Sequence, residues 1–360
     1  MKVFNKDNEY IYFYPGKKMD NNYKIIRNYK EIDLNELDKF VTNQSSGNFF
    51  QSRYYLEFYK SLKGYEPLII CVCNKDNKII GSVICVINRL LSGIKFPFLT
   101  RAIVVGGPVV SDDLTDKHAV MNILVGEVIA VSRRKSVYLE FRNLLDISTY
   151  NDIFKKYGLK FNEHLNFIID TSDREKVMKK MSKSKHHQIR KSLAAGAEIS
   201  VIKDIGELKE FYLILVDLYK TKVRKPLPQW EFFRDFFGQR DNLGLYILIK
   251  FEGKVIAGMM CPVFANRIIY DWFVCGRDRV FKDIYPSTLV TWAAIDYAIK
   301  NNIPCYDFLG AGKPKEEYGV REFKAQFGGD LKNFGRYTLV LNQSKYNFSQ
   351  WLLKKLGFFK

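Results

Sequence analysis

The order of elements suggested by the second half of the sequence repeats the order suggested by the first half. Each half begins with a β-hairpin and continues with a strand, a helix and a second strand. In the first half these runs are residues 68–73, 79–87, 103–110, 115–132 and 137–142. In the second half, roughly 170 residues later, they are residues 245–251, 254–264, 268–275, 286–301 and 305–309. The repeat predicts an α/β (α+β) fold of two tandem domains, each a mixed β-sheet flanked by helices, related by internal duplication.

The chain length agrees with this division, since 360 residues are long for a single core. We expect an N-terminal extension at residues 1–22, a first domain at 23–168, a second domain at 169–345 and a basic amphipathic tail at 346–360. The tail contains apolar and aromatic residues beside lysines, so it is predicted either to dock onto the protein or to lie at a membrane surface.

The composition indicates a globular protein with an anionic partner. The 57 Lys and Arg against 39 Asp and Glu give a formal charge of +18, which favours nucleic acid, pyrophosphate-linked substrates or an anionic membrane face. The six cysteines lie in apolar runs without zinc or redox spacing, so they predict buried thiols in a reducing compartment and no metal site. No apolar run approaches a transmembrane length, and the first seven residues are not typical of a signal peptide, so we expect a cytoplasmic protein.

The segment from 305 to 330 is the strongest candidate for a functional site. A short apolar strand carries Asp307 and ends in glycines, and a carboxylate in so apolar a strand requires a partner if it is buried. A site at the carboxyl edge of a sheet fits this pattern. The alternative is that Asp307 only caps a turn.

This segment resembles the closing motif of the FemAB-like aminoacyl- and acyltransferases, a branch of the GNAT-like superfamily that includes acetyltransferases. The likeness rests on YDFLG at 306–310 and FKAQFGG at 323–329, with GNFFQS at 47–52 and GGPVV at 106–110 in the first half. The resemblance spans roughly residues 25 to 340 and implies two tandem GNAT-like domains. The long helical hairpin that some members insert in the second domain is missing here, so a tRNA role that depends on it is open.

The resemblance implies a site around Lys324. The family places the lysine of its FK motif where donor and acceptor meet, and Phe323 would line the channel beside it. A cation there would stabilise the oxyanion of acyl transfer. The alternative is a counter-ion for Glu322 or Asp330. Asp307 and Asp271, each on a strand of alternating pattern, are predicted to share a cleft and to supply a base, or else to pair structurally with a cation.

Binding residues are predicted at several other positions. By resemblance, Arg190 in the basic stretch 176–191 and Lys60 would contact the acceptor's phosphates, although both also fit an ordinary solvated helix. Tyr270 precedes Asp271 and is assigned to substrate binding with it. Arg277 and Arg279 lie where a GNAT enzyme cradles the pyrophosphate of CoA, but the glycines of that cradle are missing.

These features together predict a transferase that moves an aminoacyl or acyl group to an amine of a cell-envelope precursor without an acyl-enzyme. The co-substrate would be aminoacyl-tRNA or acyl-CoA, with no tightly bound cofactor and no metal. The acceptor would be anionic and either lipid-linked or nucleotide-linked, which allows contact with the inner membrane face. The alternatives are a CoA-dependent N-acyltransferase of surface polysaccharide synthesis and a non-catalytic nucleic-acid-binding protein.

Overall fold

The structure, a computed structural model, describes residues 23–89 and 99–355 and two short strands before them. Apart from those two strands, the predicted extension at 1–22 lies outside the described residues, as does the end of the predicted tail at 356–360.

The first half of the chain supplies ten strands and four helices among its described residues. The strands are β1 Val3–Phe4, β2 Tyr10–Ile11, β3 Lys24–Ile26, β4 Tyr65–Cys73, β5 Ile79–Arg89, β6 Thr100–Val105, β7 Val109–Val110, β8 Tyr138–Arg142, β9 Lys160–Asn162 and β10 Leu165–Asp170. The helices are α1 Leu34–Asn43, α2 Arg53–Ser61, α3 Lys117–Lys135 and α4 Asn151–Lys156, with 3-10 turns at Tyr29–Glu31, Phe49–Gln51 and Ser148–Tyr150.

The second half supplies eight strands and eight helices among its described residues. The strands are β11 Glu198–Val201, β12 Gly244–Phe251, β13 Lys254–Phe264, β14 Ile268–Tyr270, β15 Phe273–Gly276, β16 Cys305–Asp307, β17 Asp330–Asn333 and β18 Arg336–Val340. The helices are α5 Arg174–Lys180, α6 Lys183–Ala194, α7 Ile205–Leu218, α8 Trp230–Gly238, α9 Arg240–Leu243, α10 Pro286–Lys300, α11 Gly319–Ala325 and α12 Gln343–Lys355, with a π-helical turn at Tyr219–Val223.

Sixteen of these strands, β3 to β18, form two mixed sheets of eight strands each, which confirms the predicted fold class, and β1 and β2 pair separately. The first sheet has the order β3-β4-β5-β6-β8-β18-β9, with β7 against β5. The second has the order β11-β12-β13-β14-β16-β10-β17, with β15 against β13. We call each sheet with its helices a lobe.

The two sheets exchange strands near the middle of the molecule. β10 ends the first half of the chain but pairs with β16 and β17 of the second sheet. β18 follows the last strand of the second sheet, yet it lies between β8 and β9 of the first. The proposed boundary between residues 168 and 169 remains a prediction, since the sheets do not divide the chain at a single point.

The predicted strand at 268–275 is wrong in one respect, because it is broken into β14 and β15. Asp271 and Trp272 lie in the gap, where β14 pairs in parallel with β16 and β15 pairs with β13. The predicted strand at 103–110 is broken in the same way into β6 and β7. In each lobe one backbone bond marks the break: Asp271 N donates to Asp307 O and Gly106 N donates to Arg142 O, both at 2.9 Å. The matching breaks support the internal duplication.

The lobes are joined by a shared aromatic core. One apolar cluster lies inside the first lobe, a second lies inside the second lobe, and a third contains residues from both. In the shared cluster Phe58 of α2 meets Phe232 of α8 edge-to-face at 5.0 Å, and Phe50 meets Tyr270 at 5.2 Å. Burial of this cluster stabilises the docking of the lobes through apolar area and ring geometry.

Within the described residues, no helix has both the length and the apolar character needed to cross a bilayer. Among the same residues, no group of three His, Cys, Asp or Glu side chains is arranged to hold a metal ion.

Candidate functional site

The break after β14 brings two carboxylates together. β14 and β16 run in parallel with Tyr270 opposite Asp307, and beyond that pair the strands separate. Asp271 and Asp307 stand on either side of this point, and both are buried. The paired strands thus bring Asp271 and Asp307 close together inside the protein, and their predicted role as a base in a shared cleft stays a prediction.

Lys324 lies at the same point. α11 places its side chain under the end of β16, where Nζ donates to Phe308 O and to Gly310 O, each at 2.8 Å. Nζ also lies 4.0 Å from Oδ2 of Asp271, and only 9% of the residue is exposed. Its counter-ion is thus Asp271. The alternative partners do not pair with it, since Glu322 is exposed and Asp330 pairs with Lys180.

Burial shifts the ionisation of all three groups. It raises the pKa of Asp307 to about 6, against opposing hydrogen bonds from Asn166 and Leu309. It also raises the pKa of Asp271, although Lys324 partly offsets this. Burial lowers the pKa of Lys324, against the attraction of the two carboxylates. Raised carboxyl pKa values beside a lowered lysine pKa are typical of catalytic acids and bases.

Asn166 of β10 is a part of the site that the sequence reasoning missed. Its Nδ2 donates to Oδ1 of Asp307 at 2.7 Å, and its Oδ1 accepts from the backbone N–H of Gly310 at 2.8 Å. One buried amide thus fixes both the carboxylate and the glycine turn that holds Lys324. The signal in the sequence was an asparagine inside the apolar strand LNFIID.

A second buried lysine was also missed. Lys185 of α6 donates to Thr288 Oγ1 at 2.9 Å and to Gln188 Oε1 at 3.1 Å, and its Nζ lies 4.1 Å from the centre of the Phe323 ring. Burial lowers the pKa of Lys185 to about 8. Phe323 therefore lies beside a cation other than Lys324. The sequence does contain a signal for this burial. Lys185 and Ile189 are four residues apart, so they lie on the same face of α6, and that face is buried.

The start of α10 is filled by the chain's own side chains. Asp278 accepts the backbone N–H of Ser287 at 3.0 Å and also the hydroxyl of that serine. A carboxylate therefore occupies the helix N-terminus at which a GNAT cradle binds pyrophosphate. Arg277 and Arg279 lie in the preceding loop and are exposed.

The remaining predicted binding residues are not gathered at Lys324. Arg190 is exposed on α6, outside the buried face that carries Lys185 and Ile189. Lys60 is exposed at the end of α2, where its Nζ lies over the ring of Tyr29. Tyr270 is buried in the shared core against Phe50. A direct role for these three in substrate binding stays a prediction.

The matching break in the first lobe is filled by an uncharged side chain. Gln51 fills it by donating to Val105 O at 2.7 Å and Ile84 O at 3.2 Å and by accepting Ile84 N at 2.7 Å. Asn48 bonds to Gly106 O beside it, and a Cβ on Gly106 would lie only 2.5 Å from that amide. The GNFFQS motif thus closes the break in the first lobe with uncharged side chains. The corresponding break in the second lobe contains titratable groups instead.

In the comparison with known proteins, the family match falls on the part of the chain that contains the titratable groups. Residues 248–354, which include Asp271, Asp307 and Lys324, match the model of the FemAB family. The predicted resemblance is confirmed for this region, and with it the expectation of an acyl or aminoacyl transferase. None of the curated proteins compared with the chain matches it significantly.

Solved structures share the architecture of the whole chain. The crystal structure of FemX has a TM-score of 0.69 and 16% identity, and the match covers 90% of this chain and 99% of that one. A tandem GNAT protein from the clavulanic acid biosynthesis pathway has a TM-score of 0.58, 8% identity, and coverage of 89% and 99%. L-PGS from Bacillus licheniformis has a TM-score of 0.57, 12% identity, and coverage of 90% and 97%. At these identities the likeness shows the fold, and the tandem GNAT-like prediction is confirmed.

Proposed function

We propose that the chain transfers an aminoacyl or acyl group to an amine of an anionic cell-envelope precursor, with the reaction centred on Lys324, Asp271 and Asp307. The observation that carries the proposal is a buried ammonium that donates to two backbone carbonyls and lies 4.0 Å from the buried carboxylate of Asp271, at the point where two parallel strands separate. The segment matched by the FemAB model contains all three residues. FemX, and L-PGS from Bacillus licheniformis, share this architecture.

The chemistry needs a base and a cation in one place. The acceptor nitrogen loses a proton and attacks the carbonyl carbon of the donor ester or thioester. A C–N bond forms, the C–O or C–S bond breaks, and the leaving hydroxyl or thiol takes up a proton. Asp307, with a pKa of about 6, can accept the amine's proton on Oδ2, because the hydrogen bonds from Asn166 and Leu309 both use Oδ1.

Lys324 would act on the negative charge that develops on the carbonyl oxygen. Its ammonium is fixed by Phe308 O and Gly310 O, so no side-chain entropy is lost when the transition state forms. A positioned cation in a site with little water contributes several kcal/mol of differential stabilisation.

Aminoacyl-tRNA is the favoured donor. A CoA pyrophosphate at the α10 N-terminus would have to displace the carboxylate of Asp278 from Ser287 N. In the first lobe the N-terminus of α3 is capped in the same way, by the carboxylate of Asp116, which accepts Ala119 N at 2.9 Å. Neither lobe therefore offers CoA the open cradle that a helix N-terminus otherwise provides.

Helix α12 suggests how a lipid-linked acceptor would be reached. Tyr346 stacks on Tyr138 at 5.5 Å and Leu353 is buried, so this helix docks onto the first lobe. Phe348 and Trp351 remain about half exposed, next to Lys354 and Lys355. We assign this face to peripheral contact with an anionic membrane, which co-sedimentation with phosphatidylglycerol vesicles would detect and a Trp351→Ser substitution would weaken.

The test of the reaction is a transfer assay with charged tRNA or acyl-CoA as donor and a cell-envelope precursor extract as acceptor. Lys324→Ala is expected to lower kcat at least 100-fold, which corresponds to about 3 kcal/mol of lost transition-state stabilisation. Lys332→Ala is the matched control, because Lys332 is exposed on β17.

Two results would contradict the proposal. One is turnover by the Lys324→Ala variant within threefold of the wild type, in protein that unfolds cooperatively. The other is the lack of transfer from either donor by the wild type. If the wild type transferred a group from acyl-CoA but not from charged tRNA, the proposed role of Lys324 would stand and the donor would be acyl-CoA.

A further inference from the structure

Helix α11 is held from two directions by two residues that are neighbours in sequence. Lys324 reaches the end of β16, where it donates to Phe308 O and Gly310 O. Successive residues of a helix point about 100° apart, so the ring of Phe323 faces a different part of the protein. The group that it faces there is the ammonium of Lys185 on α6. The placement of Lys324 therefore depends on α6 as well as on β16.

Three contacts join the start of α6 to α11. Ser182 N donates to Gln326 O at 2.9 Å. Nζ of Lys185 lies 4.1 Å from the ring centre of Phe323 and 5.3 Å from that of Phe327. The two rings meet edge-to-face at 5.3 Å, so one ammonium lies against a pair of rings. A cation is attracted by the ring quadrupole, and the attraction is larger where water is excluded.

The other partners of Lys185 are uncharged. Nζ donates to Thr288 Oγ1 at 2.9 Å and to Gln188 Oε1 at 3.1 Å. Among the described residues no carboxylate forms an ion pair with this lysine, although Asp278 attracts it from farther away. Burial lowers the pKa of Lys185 to about 8, so most molecules keep the charge at pH 7. A buried ammonium without a counter-ion is destabilising, and this one is retained beside Phe323.

The contact between α6 and α10 does not require this ammonium. The hydroxyl of Thr288 also donates to Gln188 Oε1 at 3.0 Å, so the two oxygens that accept from Lys185 are bonded to each other. Lys185→Met would leave that hydrogen bond in place, and an unbranched apolar side chain would fill the same space. The substitution would remove the attraction to the rings of α11. The lysine is thus needed more for the position of α11 than for the packing of α6 on α10.

We propose that Lys185 is a positioning residue of the transfer reaction, whose ammonium holds Phe323 and thereby fixes α11 with Lys324 at the end of β16. A displacement of α11 by about 1 Å would move the ammonium of Lys324 away from the place where negative charge develops, which is enough to slow a reaction strongly. The effect on the reaction rests on the proposed function. The contact of α6 with α11 does not.

The experiment is a double-mutant cycle on the transfer rate, with Lys185→Met, Phe323→Leu and the variant that combines them. Lys185→Met is expected to lower kcat about tenfold and to change KM less than twofold, because the buried lysine acts through α11 and not on the substrate. In the Phe323→Leu background the same change should lower kcat less than threefold, since the ring on which Lys185 acts is gone. Lys183→Met is the matched control, because Lys183 is exposed at the start of the same helix.

Two further measurements do not depend on activity. Hydrogen exchange in residues 319–327 is expected to be at least threefold faster in Lys185→Met than in the wild type, with unchanged exchange in α10. The melting temperature is expected to stay the same or to rise, because a buried charge without a counter-ion is removed.

The inference would be overturned if kcat of Lys185→Met lay within twofold of the wild type, or if the substitution had the same effect with and without the Phe323 ring. Unchanged exchange in residues 319–327 would also overturn it. A Lys185→Met variant that was destabilised or failed to fold would assign the lysine to stability and not to positioning. Faster exchange in those residues, in a protein whose wild type transfers no group from either donor, would contradict the proposed function and leave the positioning of α11 by Lys185 intact.

Discussion

At the scale of single residues, the ionised form of Asp307 destabilises the fold that holds it. The carboxylate is buried, and its pKa of about 6 lies above the ordinary value of 3.8. The folded chain therefore holds this proton more tightly than the unfolded chain does. The stabilisation of the protonated form is fully present below pH 3.8 and is lost as the pH rises through 6. A residue retained in spite of this cost is expected to serve the reaction.

The variant Asp307→Asn separates stability from activity. Its amide oxygen can still accept from Asn166 and Leu309, so it is expected to be more stable than the wild type by about 2–3 kcal/mol at pH 8. The difference should shrink as the pH falls toward 4, while transfer activity is lost at every pH. Urea unfolding at several pH values measures this, with the exposed Asp330→Asn as control. A variant less stable than the wild type at pH 8 would show that the carboxylate is structural.

The proximity of Asp271 and Asp307 could be expected from the sequence, because both belong to apolar runs that were predicted to lie in one sheet, although Asp271 itself lies just after β14. Lys185 could not be distinguished from its basic neighbours by composition. Its burial depends on where α6 begins, and the cap by Ser182 sets that position. Asn166 was missed because β10 belongs to the second sheet, a pairing between distant parts of the chain that local sequence does not reveal.

At the scale of elements, the break between β6 and β7 depends on one side chain. Gln51 makes three hydrogen bonds to β5 and β6 across a gap in the backbone ladder. Hairpins such as β4–β5 and β12–β13 were predictable from turn residues between apolar runs. The breaks between β6 and β7 and between β14 and β15 could not be predicted, because the apolar pattern continues through residues 103–110 and 268–275 without a local signal.

We expect Gln51→Leu to destabilise the protein by at least about 3 kcal/mol, since it leaves three buried backbone groups without partners. Lys60→Ala, on the same stretch of chain but exposed, is expected to cost less than about 0.5 kcal/mol. Chemical denaturation compares the two variants. Equal stability of the two would mean that water or a backbone shift replaces the amide.

At the scale of the whole molecule, the shared aromatic core predicts that the lobes unfold together. Phe232 is buried between Phe58 of the first lobe and Trp272 of the second. Neither lobe can unfold without exposing this cluster, so one cooperative transition is expected.

Phe232→Ala is expected to cost about 3–5 kcal/mol and to shift the unfolding midpoints of both lobes equally. Hydrogen exchange in β5 and β12, followed through a denaturant series, reports each lobe separately. Phe161→Ala, at an exposed position on β9, is the control and should cost less than about 1 kcal/mol. Two separate midpoints would show that the lobes are independent.

The position of β18 has a consequence for synthesis of the protein. A nascent chain leaves the ribosome at about 5–20 residues per second, and its leading domain commonly folds while the remainder is still being translated. Here the strand between β8 and β9 is Arg336–Val340, which follows every strand of the second sheet along the chain. Until it is synthesised, β8 and β9 lack the strand that pairs with both of them. The first sheet therefore stays incomplete while the second sheet is being made, and a fragment that ends before β18 is expected to aggregate through its exposed strand edges.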